Sequence, residues 1–174
     1  MRDLLFRTVY RCAYRVMRVY WWMAHPHTHG ALVALWHEGR ILLVKNCYLP
    51  YHSLPGGYVR RRETGREAAR RELFEETGIP ADVSELRCVL DEHHLWEGKK
   101  EHIQIFEMEA TELPQVEIDH REVEWAGFVD PKVGLALPLF PPLRRVLAGR
   151  LEGESTPRSG GPSRCSPGNP ASGP

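Results

Sequence analysis

Apolar and polar positions follow two different periods along this chain. Over residues 1–23, Leu5, Val9, Cys12, Val16, Val19 and Tyr20 recur every three or four positions, and Arg7, Arg11, Arg15 and Arg18 draw a basic stripe beside them. That spacing predicts an amphipathic helix. Ala31 to Trp36 and Ile41 to Lys45 are apolar runs of strand length, joined by His37-Glu38-Gly39-Arg40 as a tight hairpin. Leu54-Pro55-Gly56-Gly57 follows, where paired glycines let the backbone turn sharply and approach a ligand. A helix is predicted next. Thr64 and Glu67 form its capping box, Gly78 takes the left-handed position after it, and Pro80 prevents continuation.

Beyond that helix, Val83 to Leu90 reads as a strand, and Glu97-Gly98-Lys99 as a hairpin returning through His102 to Met108. Val116 to Asp119 reads as a loop, Glu122 to Val129 as a strand, and Pro141-Pro142 opens a last helix ending near Leu151. Strands on both sides of a central helix imply a mixed sheet covered by helices. His25-Pro26-His27-Thr28-His29 would suit a metal if it lay on a strand, but Pro26 and its place between elements favour a linker over 24–29. His93-His94 is equally ambiguous. The main domain is then 30–151. From Gly153 onward fifteen of twenty-two residues are Gly, Pro or Ser, too few apolar groups for a core, so 152–174 is expected to be a disordered tail.

A length of 174 residues suits one domain with a real core. A formal net charge of zero gives no bulk polyanion to expect as partner, so no nucleic acid is expected. Cys12, Cys47, Cys88 and Cys165 are scattered, which fits free thiols and a cytoplasmic setting. Arginines interrupt every apolar run of residues 1–23, against a transmembrane span or secretory signal. Three accounts of that helix remain open: packing on the domain or across a homodimer, peripheral contact with an anionic membrane with Trp21 and Trp22 at headgroup level, or organellar targeting.

The chemistry gathers on the central helix. Glu72 and Glu76 stand one turn apart with Glu75 beside them, and like charges so placed repel unless something cationic joins them. A charge cluster alone is usually a solvated face. Here the spacing says more. Residues 57–79, GYVRRRETGREAARRELFEETGI, resemble the Nudix hydrolase signature Gly-x5-Glu-x7-Arg-Glu-U-x-Glu-Glu-x-Gly-U, where U is bulky and aliphatic. Gly57, Glu63, Arg71, Glu72, Leu73, Glu75, Glu76, Gly78 and Ile79 fill every position.

The resemblance covers about residues 29–150. It implies a three-layer α/β/α sandwich with a mixed sheet, the signature helix lying over the open end of the sheet. It also implies a hydrolase that uses a divalent cation to cleave a diphosphate linkage in a small nucleotide or nucleotide-sugar substrate. Carboxylate oxygens favour Mg2+, with Mn2+ as substitute, for Glu72, Glu75 and Glu76. By the resemblance, the Gly56 carbonyl adds a ligand, and Glu63 binds through water or braces the site. Glu122 is the expected further carboxylate, because REVEWAGFVDP resembles the family's Arg-Glu-Ile-x-x-Ala-x-Trp-Val-x-Pro, with Phe128 in place of Trp; Glu124 is its rival. Arg71 is either a surface ion pair or, by the resemblance, the orienter of a catalytic glutamate. The general base differs within the family; Glu72 is preferred, with Glu76 also assigned to catalysis.

Substrate choice is less legible. Patterns marking the coenzyme A, ADP-ribose and dinucleoside-polyphosphate subsets are missing, with His94 and Trp96 at the diagnostic positions of the last two. Trp96 either stacks on a base or belongs to the core. Arg60 and Arg61, within Arg60-Arg61-Arg62, either grip phosphates or form a solvated turn. Two other functions compete: a Nudix domain that senses a ligand without turnover, and a membrane-tethered protein defined by residues 1–23.

Overall fold

A computed structural model of the protein describes residues 2–118 and 120–154. The central strand β1 (His27–His37) is buried on both faces. Its alternation sends Ala31, Val33 and Leu35 into one core and Leu32, Ala34 and Trp36 into another. It pairs antiparallel with β2 (Arg40–Asn46) and with the short β3 (Gly56–Tyr58), and parallel with β5 (Lys99–Glu109). With β4 (Arg87–Trp96) and β6 (Val123–Val129) the sheet runs β4-β5-β1-β2-β6. Both hairpins turn on residue pairs with positive φ, Glu38 and Gly39 (48° and 72°) and Glu97 and Gly98 (49° and 82°). Such turns match the twist of the strands they join.

Helix α2 (Gly65–Thr77) lays Ala68, Ala69 and Leu73 on the face that carries Val33, Leu35, Leu42 and Phe106. On the opposite face, α4 (Pro141–Glu154) packs Leu143 and Leu147 on Trp36, Ile41, Leu43 and Ile105. A six-residue helix α3 (Pro131–Ala136) precedes it. The expected three-layer α/β/α sandwich with a mixed sheet is therefore present. Helix α2 covers a face of the sheet rather than its open end, because the two small alanines allow close approach to β1.

Several local expectations are corrected. His27 and His29 lie on β1, not in a linker, since β5 offers a parallel partner from Lys100 onward (His27 opposite Lys100) that the local effect of Pro26 does not reveal. Val83–Glu85 is a 3-10 turn capped by Asp82, and the strand starts only at Arg87, running to Trp96. Helix α3 was not anticipated, although Asp130 caps it and Pro131 occupies its first turn. Cys12 and Cys47 are free, as expected. Helix α4 continues through Glu154, so residues 152–154 of the expected tail are helical, and the rest of that expectation lies outside the described residues.

The N-terminal helix α1 (Arg2–Ala24) forms and packs on the domain, but by an unexpected side. Val9, Val16, Val19 and Tyr20, expected to be covered, are more than half exposed. Tyr10, Tyr14 and Trp21 face inward instead. The Tyr14 ring packs at a 40° tilt on Tyr48, centroids 5.1 Å apart, and its hydroxyl donates to Glu97 Oε2 at 2.5 Å, while Trp21 is 5% exposed beneath Lys99. Tyrosine and tryptophan bury a ring while satisfying a polar tip, which outweighs covering small aliphatic groups. Arg11 Nε donates to the Cys47 carbonyl (2.9 Å) and Arg7 Nε to that of His120 (3.1 Å); Arg18 lies 3.8 Å from Glu97. Much of the basic stripe thus binds the domain. No described helix is long and apolar enough to cross a membrane.

Candidate active site

The local signals of α2 are realised. Glu67 N–H donates to Thr64 Oγ1 at 3.3 Å, Thr64 N–H to Glu67 Oε2 at 2.7 Å, and Gly78, at φ 71°, closes the helix onto Phe74. This fixes the helix so that Glu72 and Glu76 meet strand β3. A Cβ on Gly57 would lie 2.7 Å from the Glu72 carboxylate, and one on Gly56 2.4 Å from the Ala31 carbonyl oxygen. Both glycines are required by close approach.

Glu76 is buried at the floor. Gly56 N–H donates to its Oε2 at 2.9 Å, and Asn46 Nδ2 to its Oε1 at 3.3 Å. Asn46 Nδ2 also stands 3.5 Å from Glu122 Oε1, to which Tyr48 donates at 2.6 Å. Burial first, with Glu122 adding to it, pushes the Glu76 pKa up to about 8 despite the Gly56 bond. Burial and then Glu122 also raise the Tyr48 hydroxyl far above its ordinary range. Glu122 thus joins the floor beside Glu76; Glu124 has no contact with this network among the described bonds.

Arg71 is the hub of the rim. It donates through Nη2 to Glu63 Oε1 (2.7 Å) and the Tyr58 carbonyl (3.1 Å), and through Nε to Glu63 Oε2 (3.2 Å). Its Nη1 reaches Glu72 Oε1 (2.5 Å) and Glu75 Oε2 (3.1 Å). The two-pronged bond to Glu63 leads in raising its pKa and holds the guanidinium in one plane. Burial raises the Glu72 pKa, while the Arg71 bond opposes that shift. Glu63, which also accepts from Arg60 N–H at 2.5 Å, braces Arg71.

Among the described residues, no three His, Cys, Asp or Glu side chains converge on a ready cation site. Glu72 and Glu75 are turned onto Arg71, and Glu76 onto Gly56 and Asn46. The donor chemistry nevertheless fits a hard divalent cation: Glu76 is a buried carboxylate facing a second, Glu122, with no cationic side chain bonded to it.

A cavity of ≈310 Å³ opens beside Gly56, Gly57 and Glu122. Trp96 lines it, stacked edge-on against Tyr51 and Phe140, so it belongs to the core and the cavity together. Arg60 is exposed and bonded to Glu75, and Arg61 is exposed; neither lines the cavity. Residues that the sequence did not single out are Asn46 and Tyr48, beyond a bulge in β2, and the inner face of α1. A hydrogen-bonding pair just after an apolar strand and the 10-14-17-21 spacing were the available signals.

The NUDIX domain model matches residues 26–149. A relative in Bacillus subtilis (strain 168), "Putative 8-oxo-dGTP diphosphatase", is 43% identical over 79 residues, 41% of this chain and 53% of that protein, so the match spans about half the relative's length. A MutT NUDIX hydrolase from Burkholderia pseudomallei is 24% identical with a TM-score of 0.60, covering 70% of this chain and 96% of the other. A bifunctional NMN adenylyltransferase/ADP ribose pyrophosphatase from Francisella tularensis, complexed with AMP and a Mn ion, is 20% identical with a TM-score of 0.64, covering 83% and 47%. The two structural likenesses carry the fold, and the family model, which takes in the glutamate helix and both strands that face it, carries the kinship: this chain belongs to the NUDIX family.

Proposed function

We propose that the protein is a Mg2+-dependent hydrolase of a diphosphate linkage in a small nucleotide, with Mn2+ able to replace Mg2+. The observation that carries this reading is the packing of Glu72 and Glu76 against Gly57 and Gly56, two glycines that line an aromatic-walled cavity together with Glu122. The Mn ion in the Francisella structure and the diphosphatase name of the Bacillus relative agree with it. Glu76, Glu122, Glu72 and Glu75, with the Gly56 carbonyl, are the groups that would hold the cation. When bound, it would neutralise the diphosphate and lower the pKa of water.

The chain's own residues supply the rest. Glu72, held at 2.5 Å by Arg71, accepts the proton of the attacking water. The water oxygen bonds to one phosphorus, the bridging P–O bond breaks, and the second phosphate leaves with the electron pair. Arg71 fixes the rotamer of Glu72, and Glu63 fixes Arg71. The glycine floor lets the phosphates approach the helix without a side chain between them.

The test is a panel of nucleoside di- and triphosphates, sugar nucleotides and dinucleotides, with Mg2+, reading phosphate and nucleotide products. Turnover of at least one substrate, lost by orders of magnitude in Glu76→Gln, is expected. Tight binding without turnover would favour a sensing domain instead.

A further inference from the structure

Helix α1 lies outside the segment matched by the family model, yet it closes the cavity beside the carboxylates. Its inward positions Tyr10, Tyr14, Met17 and Trp21 follow a helical period and all line that cavity. The helix is seated closely: a Cβ on Gly98 would lie 3.0 Å from the Trp21 carbonyl oxygen and from Trp22 Cα. Opposite Trp21, Lys99 Nζ sits 4.3 Å from the indole centroid and 3.2 Å from Glu101 Oε1, both charged side chains being 7% exposed. Glu101 Oε2 has no hydrogen-bond partner, although His94 Nε2 stands 3.4 Å away.

An aromatic enclosure with a buried ammonium and carboxylate side by side suits one ligand chemistry. A planar ring fills the space between aromatic faces. Its edge must present an acceptor beside a donor to meet Lys99 and Glu101. A nucleobase has both features; a sugar lacks the plane, and an acyl chain lacks the polar edge.

We propose that α1 is a specificity-determining wall of the substrate pocket, where Trp21 and Tyr14 hold the nucleobase while the phosphates extend over Gly56 and Gly57 towards the glutamates. This rests on the reading of the site as a nucleotide hydrolase. Tyr14 acts partly through Glu97, fixing the hairpin tip that carries Lys99.

The experiment measures kcat/KM with Mg2+ for the four common deoxynucleoside triphosphates. Wild type, Trp21→Ala, Tyr14→Phe and the control Trp22→Ala, whose side chain is 73% exposed, are compared. The ratio between best and worst base is expected to shrink at least tenfold in Trp21→Ala, mainly through KM. In Tyr14→Phe, which keeps the ring and removes only the bond to Glu97, a smaller loss is expected; Trp22→Ala keeps the wild-type ratio. A Trp21→Ala ratio within twofold of wild type, or a wild type without base preference, overturns the proposal. Calorimetric binding of the four deoxynucleoside monophosphates separates this inference from the reaction it rests on. If no triphosphate is hydrolysed but monophosphates bind and Trp21→Ala loses that binding tenfold, the wall stands and the reaction falls. Equal binding by both proteins, or none by wild type, overturns the wall.

Discussion

Glu76→Gln should make the metal-free protein more stable, and increasingly so as pH rises. Burial lifts the Glu76 pKa from 4.5 to about 8. Folding therefore takes up one proton between those values, and stability falls as pH rises through them by about 1.4 kcal/mol per unit. The neutral acid's stabilisation is fully present below pH 4.5 and lost by about pH 8, where the accumulated cost reaches about 5 kcal/mol. Glutamine mimics the protonated acid. It retains one acceptor for the Gly56 N–H and, like the acid, gives Asn46 a poorer partner. The difference between variant and wild type should be small near pH 4.5, grow across the window and level off above pH 8. Urea unfolding in EDTA at half-unit steps from pH 5 to 9 measures it. Mg2+ at pH 8 should then restore wild type and do little for the variant. Parallel stability curves for the two proteins would refute the buried, proton-linked carboxylate.

Arg71→Lys replaces a fork with a point charge, so activity should fall about 10- to 100-fold with the fold intact by circular dichroism. Gly57→Ala pushes its methyl into the Glu72 carboxylate, which must leave Arg71 to make room, so stability should fall by about 1 kcal/mol and kcat at least tenfold in steady-state assays. His29, whose pKa burial lowers although its bond to Gln104 opposes this, contributes stability fully above its unfolded value of 6.5 and loses it as pH falls. Thermal melts should therefore show a drop below pH 6.5 that His29→Gln reduces. Gly39→Ala, at φ 72° with open space around it, should cost about 1 kcal/mol of backbone strain in urea unfolding and leave kcat unchanged.

What could be read in advance was what neighbours in sequence determine. Thr64, Glu67, Gly78 and Pro80 bound α2, and both X-Gly hairpins turn where their dipeptides stand. Glu72 and Glu76 both meet β3 because they share one face of α2. Glu122 was legible only through its resemblance, since its distance from Glu76 depends on β6 pairing with β2. The start of β1 and the tilt of α1 depend on partners seventy or more residues away, β5 and the Glu97–Lys99 turn. For α1, counting aliphatic groups favoured the wrong side: Tyr14 and Trp21 bury more ring area than Val9 or Val16, and the Tyr14 hydroxyl meets Glu97 and the Trp21 ring face meets Lys99 only in three dimensions.

The two glycines at the floor have a consequence for inheritance. At Gly56 a side chain would strike the backbone of β1, and at Gly57 the carboxylate of Glu72. Neither position can record a change of ligand. Any lineage of this chain that shifts its diet must write the change in what surrounds the floor, in α1, in Tyr48 and Tyr51, or in the hairpin at Glu97. With α1 as the proposed wall of the pocket, descendants could diverge in what they accept at positions before residue 26, outside the domain that the family shares.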